Sequence, residues 1–182
     1  MQLSDLIRIY PGTISADACQ RLIDGFEDRA GQHVIHQGDD GPRFAELNLT
    51  QQWAEGHDLA FAAIMPQFEA YSRDLSIGTQ QWPAELAFEE LRLKRYRPGG
   101  DDQFPEHVDV GDHASARRFL AALLYLNDVR DGGETAFPLW RQAIRPSAGT
   151  LVVFPPLWPW LHAGRPPVSG PKYILSTYLH YT

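Results

Sequence analysis

Residues 119–126 constrain the fold of this chain most, because they form an unbroken apolar run between two polar segments. Such a run is typical of a strand that is buried on both faces. Further strands are predicted where apolar and polar residues alternate at 90–97, and at 150–154 and 172–181. Gly132 and Gly133 mark a turn between two of these segments. From Phe88 onward the pattern therefore indicates a β-rich structure.

Two helices are expected before these strands. Ser15 suits the N-cap of the first helix, and apolar residues follow it at helical spacing through Phe26. Cys19 lies on this apolar stripe and has no basic neighbour, so we interpret it as a core residue. The second helix is predicted over about residues 52–75, with a kink or a new first turn at Pro66. We also expect short strands at 5–10 and 43–49, and a polar loop at 31–42.

Helices followed by several short strands predict a mainly β fold with N-terminal helices, of the α+β class. The expected architecture is an open barrel of two sheets braced by those helices. A chain of 182 residues suits one domain over residues 1–182, divided into a helical support region at 1–87 and a catalytic core at 88–182.

Composition excludes several functional classes. The formal net charge of −7 argues against a general nucleic-acid binder, which usually has a basic surface. The N-terminus lacks the pattern of a signal peptide, and no apolar run is long enough to span a membrane. Cys19 is the only cysteine, so no disulfide can form within the chain. A cytoplasmic protein is therefore expected, and nothing in the sequence fixes its oligomeric state.

Three residues form a candidate metal site. His107 and Asp109 are two positions apart, so in a strand their side chains point to the same face. His162, beside Trp160, can supply a third ligand from a distant strand. Two histidines and one carboxylate are the ligand set of mononuclear non-haem iron(II) oxygenases, which leaves open positions on the metal.

The motifs around these residues occur in a specific order. The chain resembles the catalytic domain of the prolyl 4-hydroxylase-like, iron(II)- and 2-oxoglutarate-dependent dioxygenases over about residues 88–180. The residues that carry this resemblance are Arg95-Tyr96-x-x-Gly99, His107-x-Asp109, Leu123-x-Tyr125-Leu126-Asn127-Asp128, Gly132-Gly133-Glu134-Thr135-x-Phe137-Pro138, Pro146-x-x-Gly149-x-Leu151-x-x-Phe154, His162 and Lys172.

The resemblance implies a double-stranded β-helix, the cupin-like jelly roll, with iron(II) bound by His107, Asp109 and His162. It further implies 2-oxoglutarate as cosubstrate, O2 as oxidant and possible use of ascorbate. Lys172, ten residues after the second histidine, occupies the position that pairs with the distal carboxylate of 2-oxoglutarate in the family. A buried lysine requires such an anion.

Three positions depart from the family pattern. Phe104 stands where a tyrosine usually helps to hold the same carboxylate, Ala121 where a threonine is common, and Tyr178 where a tryptophan is common in the last strand. The cosubstrate pocket is therefore expected to offer fewer hydrogen bonds, with Tyr96 and Tyr125 as candidate replacements.

The resemblance favours a hydroxylase that acts on a prolyl or other amino-acid residue, or on a free amino acid, and releases succinate and CO2. A non-catalytic jelly-roll sensor that holds a small anion is the alternative. A zinc hydrolase would have no use for Lys172, and Glu106 would be its only obvious base. The substrate is a small molecule or a peptide; Trp140, Trp158, Trp160 and Arg165 either line its entrance or serve ordinary packing.

A basic run on one predicted strand completes the candidate features. Its members alternate between the two faces of the strand, so we interpret the run as a solvated strand rather than an anion site. The run consists of Arg92, Lys94, Arg95 and Arg97.

Overall fold

A computed structural model describes residues 2–182. It contains twelve strands and three α-helices, joined by short 3-10 helices and loops. The helices are α1 (Ala16–Glu27), α2 (Leu49–Gln52) and α3 (Ala54–Asp74). The strands are β1 (Arg8–Tyr10), β2 (Val34–Gln37), β3 (Arg43–Asn48), β4 (Leu86–Phe88), β5 (Arg92–Tyr96), β6 (Phe104–His107), β7 (Arg118–Tyr125), β8 (Thr135–Phe137), β9 (Gln142–Ile144), β10 (Leu151–Phe154), β11 (His162–Gly164) and β12 (Lys172–Tyr181).

The strands form two antiparallel sheets that face each other. The large sheet has the order β1-β10-β7-β12-β5-β3-β2, and β4 pairs with β12 beside this path. The small sheet has the order β6-β11-β8-β9. The prediction of a mainly β fold with an open double-sheet barrel is therefore confirmed. Strands β1 to β3 come from the first third of the chain, so this region contributes to the sheet as well as to the helices.

The two faces of the large sheet bury two separate clusters of side chains. On β7, Leu120, Ala122 and Leu124 face the helices, whereas Ala121 and Tyr125 face the small sheet. Both sets are buried, as the apolar run at 119–126 predicts. We call the first cluster the helix-side core and the second the intersheet core.

Helix α1 packs on the outer face of the large sheet through residues that include Cys19, Leu22 and Phe26. Its N-terminus is capped as predicted, since the hydroxyl of Ser15 accepts a hydrogen bond from the backbone N–H of Ala18. The burial of Cys19, which is 1% exposed, agrees with its interpretation as a core residue.

Helices α1 and α3 approach each other closely because both carry a glycine against Trp53. A Cβ atom at Gly25 or at Gly56 would overlap the indole ring. The guanidinium of Arg29 covers the ring, with its Cζ atom 4.4 Å from the ring centroid. None of the helices within residues 2–182 is both long enough and apolar enough to cross a membrane.

Two local predictions in the N-terminal third are wrong. Residues 31–42 are not a continuous loop, because β2 (Val34–Gln37) pairs with β3 along their whole length. The alternation that would have revealed β2 is absent, since Val34 and Ile35 are both exposed on an edge strand. The strand predicted at 5–10 begins only at Arg8, because a 3-10 helix (Leu3–Leu6) precedes it.

Candidate metal centre

His107 and His162 are brought together by strand pairing. Strand β11 runs antiparallel to β6, and the register places His162 directly opposite His107. Their ring centroids lie 4.3 Å apart. Residues opposite each other in an antiparallel pair have closely spaced Cβ atoms, so the pairing alone places two potential ligands at one point.

Asp109 completes the group from just beyond the end of β6. Its Oδ1 atom lies 3.5 Å from Nε2 of His107, and its Oδ2 atom lies 3.6 Å from Nε2 of His162. The prediction that His107 and Asp109 lie in one strand is wrong for Asp109, because β6 ends at His107. The two side chains nevertheless meet.

The orientation of both imidazole rings is fixed by backbone carbonyls. Nδ1 of His107 lies 2.7 Å from the carbonyl oxygen of Pro105, and Nδ1 of His162 lies 3.0 Å from that of Trp160. A carbonyl only accepts, so each Nδ1 carries the proton and each Nε2 is left with a free lone pair. Both lone pairs face the carboxylate of Asp109.

Two of these groups are held in the protonation state that metal binding requires. Burial opposes ionisation of Asp109, but the neighbouring imidazoles of His107 and His162 and the hydrogen bond from the hydroxyl of Tyr178 together lower its pKa to about 2. Burial lowers the pKa of His162 to about 4, against the opposing effect of Asp109. At neutral pH the carboxylate is therefore charged and His162 is neutral.

Two further side chains hold Asp109 in place. The hydroxyl of Tyr178 donates a hydrogen bond of 2.6 Å to Oδ1 of Asp109. Arg118 donates a hydrogen bond of 2.8 Å to the backbone carbonyl of Asp109, while its other nitrogens bind both oxygens of Glu89. The Cζ atom of Arg118 also lies 4.1 Å from the centroid of the Tyr178 ring. Sequence reasoning noted the replacement at Tyr178 but not its contact with Asp109.

The donor set fits one divalent ion. The possible ligand atoms of His107, Asp109 and His162 all lie within 4.8 Å of one another. Ligands at about 2.1 Å from one ion and at right angles lie about 3 Å apart, which the 3.5 and 3.6 Å separations approach. Two imidazoles and one carboxylate on one side of an ion are typical of a facial triad for iron(II).

A pocket between the sheets, which we call the metal pocket, adjoins these three residues. On β12 it is lined by the same-face residues Lys172, Ile174, Ser176 and Tyr178. The other lining residues are Lys94, Tyr96, Phe104, His107, Asp109, Leu123, Thr135, His162 and Gly164.

Lys172 is the most deeply buried cation of the metal pocket. It is 1% exposed, and no hydrogen bond or ion pair joins its Nζ atom to any residue from 2 to 182. Nζ lies 4.9 Å from the centroid of the Tyr96 ring, which stands opposite Lys172 in the β5–β12 register. Burial lowers the pKa of Lys172 to about 7, while Glu134 opposes this change. This ammonium group lacks an anionic partner of its own.

The other predicted cofactor residues lie at different depths. Tyr96 lines the metal pocket directly. Tyr125 reaches it indirectly, since its buried hydroxyl donates a hydrogen bond of 2.6 Å to Oγ1 of Thr135, which lines the pocket. Phe104 stacks on His107 with 3.7 Å between ring centroids, whereas Ala121 is buried in the intersheet core.

The interpretation of the basic run as a solvated strand is wrong for Lys94. Its side chain is only 12% exposed and points into the metal pocket, whereas that of Arg97 is 65% exposed. Arg95, on the opposite face of β5, forms hydrogen bonds with both oxygens of Glu27. Alternation places Lys94 and Tyr96 on the same face, and this signal could have identified Lys94.

The four residues considered for the substrate entrance do not line the metal pocket. Trp160 is buried, and its Nε1 atom donates to the backbone carbonyl of Leu3. Trp158 is 77% exposed. Trp140 and Arg165 also lie outside the metal pocket. Glu106, considered as the base of a hydrolase, is exposed and is not a pocket residue either.

Comparison with known proteins agrees with this geometry. Residues 91–180 match the family model of the 2OG-Fe(II) oxygenase superfamily. A putative prolyl 4-hydroxylase of Acanthamoeba polyphaga mimivirus is 31% identical over 147 residues, which is 71% of this chain and 56% of the viral protein. The prolyl 4-hydroxylase subunit alpha-1 of Gallus gallus is 31% identical over 108 residues, 50% of this chain and 20% of that subunit. The chain thus spans about half or less of these relatives.

Solved structures show the same fold over nearly the whole chain. The 2OG complex of the viral collagen prolyl hydroxylase from Paramecium Bursaria Chlorella virus-1 gives a TM-score of 0.76 at 22% identity and covers 97% of both chains. A prolyl-4-hydroxylase of Pseudomonas putida gives a TM-score of 0.74 at 22% identity, with coverage of 97% of this chain and 93% of that one.

Fold, ligand geometry and family match together define the class. Residues 91–180 match the 2OG-Fe(II) oxygenase superfamily, and the jelly-roll fold is that of the solved prolyl hydroxylases. The resemblance found in the sequence is therefore confirmed. This family uses iron(II), 2-oxoglutarate and O2.

Proposed function

We propose that this protein is an iron(II)- and 2-oxoglutarate-dependent dioxygenase that hydroxylates a prolyl or other amino-acid residue, or a free amino acid. The observation that carries the proposal is the convergence of His107, Asp109 and His162 beside the buried ammonium of Lys172. A site that held only a metal would not need this buried cation. A hydrolytic site would not need it either.

In this proposal His107, Asp109 and His162 hold iron(II) through Nε2, one carboxylate oxygen and Nε2. Bound iron(II) would supply the oxidising chemistry, in which O2 is activated while 2-oxoglutarate is converted to succinate and CO2. The backbone carbonyls of Pro105 and Trp160 keep the imidazoles aligned, and Tyr178 keeps Asp109 in its orientation.

Lys172 binds the distal carboxylate of 2-oxoglutarate and so sets the position of the whole molecule in the metal pocket. The carboxylate supplies the acceptor that the ammonium lacks, in a site with little water, where charge-assisted hydrogen bonds are strong. Thr135, which is held by Tyr125, offers a hydroxyl on the wall of the same pocket. Phe104 packs on His107, and Phe137 and Phe154 pack on His162, which limits the access of water to the two histidines.

The proposal treats residues 1–182 as one oxygenase domain rather than a core with a passive support. Phe44 and Glu46, from β3 near the N-terminus, line a cavity that adjoins the metal ligands. Iron(II) persists best in reducing surroundings, so we also propose the cytoplasm as the location.

The test is release of succinate from 2-oxoglutarate in air, with iron(II) and ascorbate present. A panel of free amino acids and proline-containing peptides is then searched by mass spectrometry for the gain of one oxygen atom. We expect succinate release that rises with the true substrate and disappears in Asp109→Ala. If the protein binds iron(II) and 2-oxoglutarate but never forms succinate, the sensor function replaces the catalytic one.

A further inference from the structure

Next to the metal pocket lies a second cavity, which we call the outer cavity. It shares with the pocket the residues Lys94, Phe104, His107, Asp109, Ser176 and Tyr178. It adds Phe44 and Glu46 from β3, together with His36, Pro42, Glu89, Glu90, Arg92, Val108 and Arg118. Because the shared residues include two proposed metal ligands, the outer cavity is the space from which a substrate can reach the metal.

Lys94 stands at the boundary between the two spaces. Its Nζ atom lies 5.1 Å from the centroid of the Phe44 ring and 5.7 Å from that of the Phe104 ring. The nearest carboxylate oxygen is Oε2 of Glu46 at 4.0 Å, which is beyond hydrogen-bonding distance. Within residues 2–182, Nζ of Lys94 therefore has an ion-pair partner at the distance limit but no hydrogen-bond acceptor.

The other cations of the outer cavity already have strong partners. Arg92 donates to Oε1 of Glu46 at 2.9 Å and to Glu90 at 2.6 Å. Arg118 binds both oxygens of Glu89 at 2.7 and 2.8 Å. Glu46 is thus shared between Arg92 and Lys94, and Arg92 holds it more closely. Among the described residues, Lys94 is the outer-cavity cation whose N–H groups remain available.

The location of Lys94 also separates it from Lys172. In the β5–β12 register Lys172 stands opposite Tyr96, whereas Lys94 stands opposite Ile174. These two pairs are two residues apart along the strands, which corresponds to about 7 Å. Lys172 lines only the metal pocket, whereas Lys94 lines both spaces. An anion held by Lys172 and an anion that enters through the outer cavity can therefore occupy different positions.

We propose that Lys94 binds a carboxylate of the primary substrate. The substrate class is then a molecule with a free carboxylate near the oxidised carbon: an amino acid, an N-acyl amino acid or the C-terminal residue of a peptide. The rings of Phe44 and Phe104 provide apolar walls for its carbon skeleton, and the ammonium of Lys94 gives it a charge-assisted hydrogen bond. This inference rests on the proposed function and narrows its substrate.

The test compares acids with their amides. The twenty N-acetyl amino acids and the matching N-acetyl amino acid amides are titrated into the anaerobic iron(II) protein saturated with 2-oxoglutarate, and binding is followed by calorimetry. We expect at least one acid to bind ten times or more tightly than its amide. In Lys94→Met and in Lys94→Gln this difference should disappear, while the affinity for 2-oxoglutarate changes less than threefold. Arg130→Met, which removes an exposed charge, should retain the difference.

Three outcomes would overturn the inference. The first is that no acid binds, and the second is that acids and amides bind alike in the parent protein. The third is that both Lys94 variants lose 2-oxoglutarate affinity but still distinguish acid from amide, which would assign Lys94 to the cosubstrate.

Failure of the proposed function gives a different pattern. If acids bind in a Lys94-dependent manner but no succinate or hydroxylated product forms in air, catalysis is disproved and the carboxylate subsite stands. If a proline inside a peptide is hydroxylated as well as any acid, catalysis stands and the inference about Lys94 fails.

Discussion

The two clusters buried by the large sheet differ in chemistry although they share the same strands. The helix-side core consists of apolar and aromatic side chains such as Leu22, Phe26 and Leu124. The intersheet core is also built from apolar and aromatic side chains, but it adjoins the metal pocket, which contains Lys172, Asp109 and His162. Burial of the first cluster stabilises the fold. Burial of charged groups beside the second cluster costs stability and provides a preorganised binding site.

The pKa values make this difference concrete. Burial lowers the pKa of Lys172 to about 7 and that of His162 to about 4, so the folded protein resists placing a positive charge on either group. Burial by itself would raise the pKa of Asp109. Three hydrogen-bonding or charged neighbours lower this pKa instead and keep the carboxylate ionised. The helix-side core can therefore be tested by stability, and the intersheet core by ligand binding.

The largest expected effect is loss of the metal. We expect Asp109→Ala and His162→Ala to weaken iron(II) binding by more than the roughly 100-fold that loss of an orienting partner causes, and to abolish succinate release. Anaerobic equilibrium dialysis measures the metal affinity. Asp112→Ala, which removes an exposed carboxylate from the following loop, is the matched control and should bind iron(II) normally. Normal metal binding by Asp109→Ala would remove that residue from the ligand set.

Lys172→Met should weaken the binding of 2-oxoglutarate but stabilise the ligand-free protein. A 2-oxoglutarate carboxylate left without its partner loses about 3–5 kcal/mol, so the affinity for 2-oxoglutarate should fall more than about a hundredfold. Iron(II) binding should stay near normal. Because an unpaired buried ammonium destabilises the fold, Tm of the ligand-free variant should rise. A titration followed by charge-transfer absorbance, together with a thermal melt, measures both; unchanged affinity would place the anchor elsewhere.

Tyr178→Phe removes the hydroxyl that binds Oδ1 of Asp109 and leaves the ring in place. We expect iron(II) affinity to fall by roughly 10–100-fold, as for other partners that orient a metal ligand. Tyr181→Phe, on the exposed end of the same strand, is the control and should have no effect. Equal metal affinities in the two variants would show that Asp109 is held without Tyr178.

Cys19→Ser tests the helix-side core, because it places a hydroxyl in an apolar cluster at a position that is 1% exposed. We expect the free energy of unfolding to decrease by roughly 1–2 kcal/mol, with unchanged affinity for 2-oxoglutarate. Denaturant unfolding gives the first quantity and cosubstrate titration the second. Unchanged stability with lost activity would mean that Cys19 acts in the site.

The smallest effect concerns pH. Lys172 must be protonated to bind a carboxylate, and its pKa in the ligand-free protein is lowered to about 7. Below pH 7 the ammonium is present, and above pH 7 binding must first take up a proton. The affinity for 2-oxoglutarate should therefore fall about tenfold from pH 6 to pH 8. Calorimetry in buffers of different ionisation enthalpy detects the uptake. Lys172→Arg, which stays charged, should show no such dependence.

The linear sequence was sufficient to predict much of the fold and the proposed ligands. Alternation and unbroken apolar runs located β7, β10 and β12, because the period of a strand is imposed by the backbone itself. The resemblance to the prolyl 4-hydroxylase-like family, carried by motifs in a fixed order along the chain, selected His107, Asp109, His162 and Lys172. Strand periods and motif order are both properties of the linear sequence, so one sequence records them directly.

Tertiary structure decided how residues from distant segments meet at the site. Pairing of β6 with β11 brings His162 opposite His107 across more than fifty positions of sequence. Strand β2 is recognisable only by its pairing with β3, since its exposed residues follow no alternation. The burial of Lys94 depends on Phe44 and Phe104, which come from other strands. Such contacts depend on how distant segments pack, and no short stretch of sequence encodes that packing.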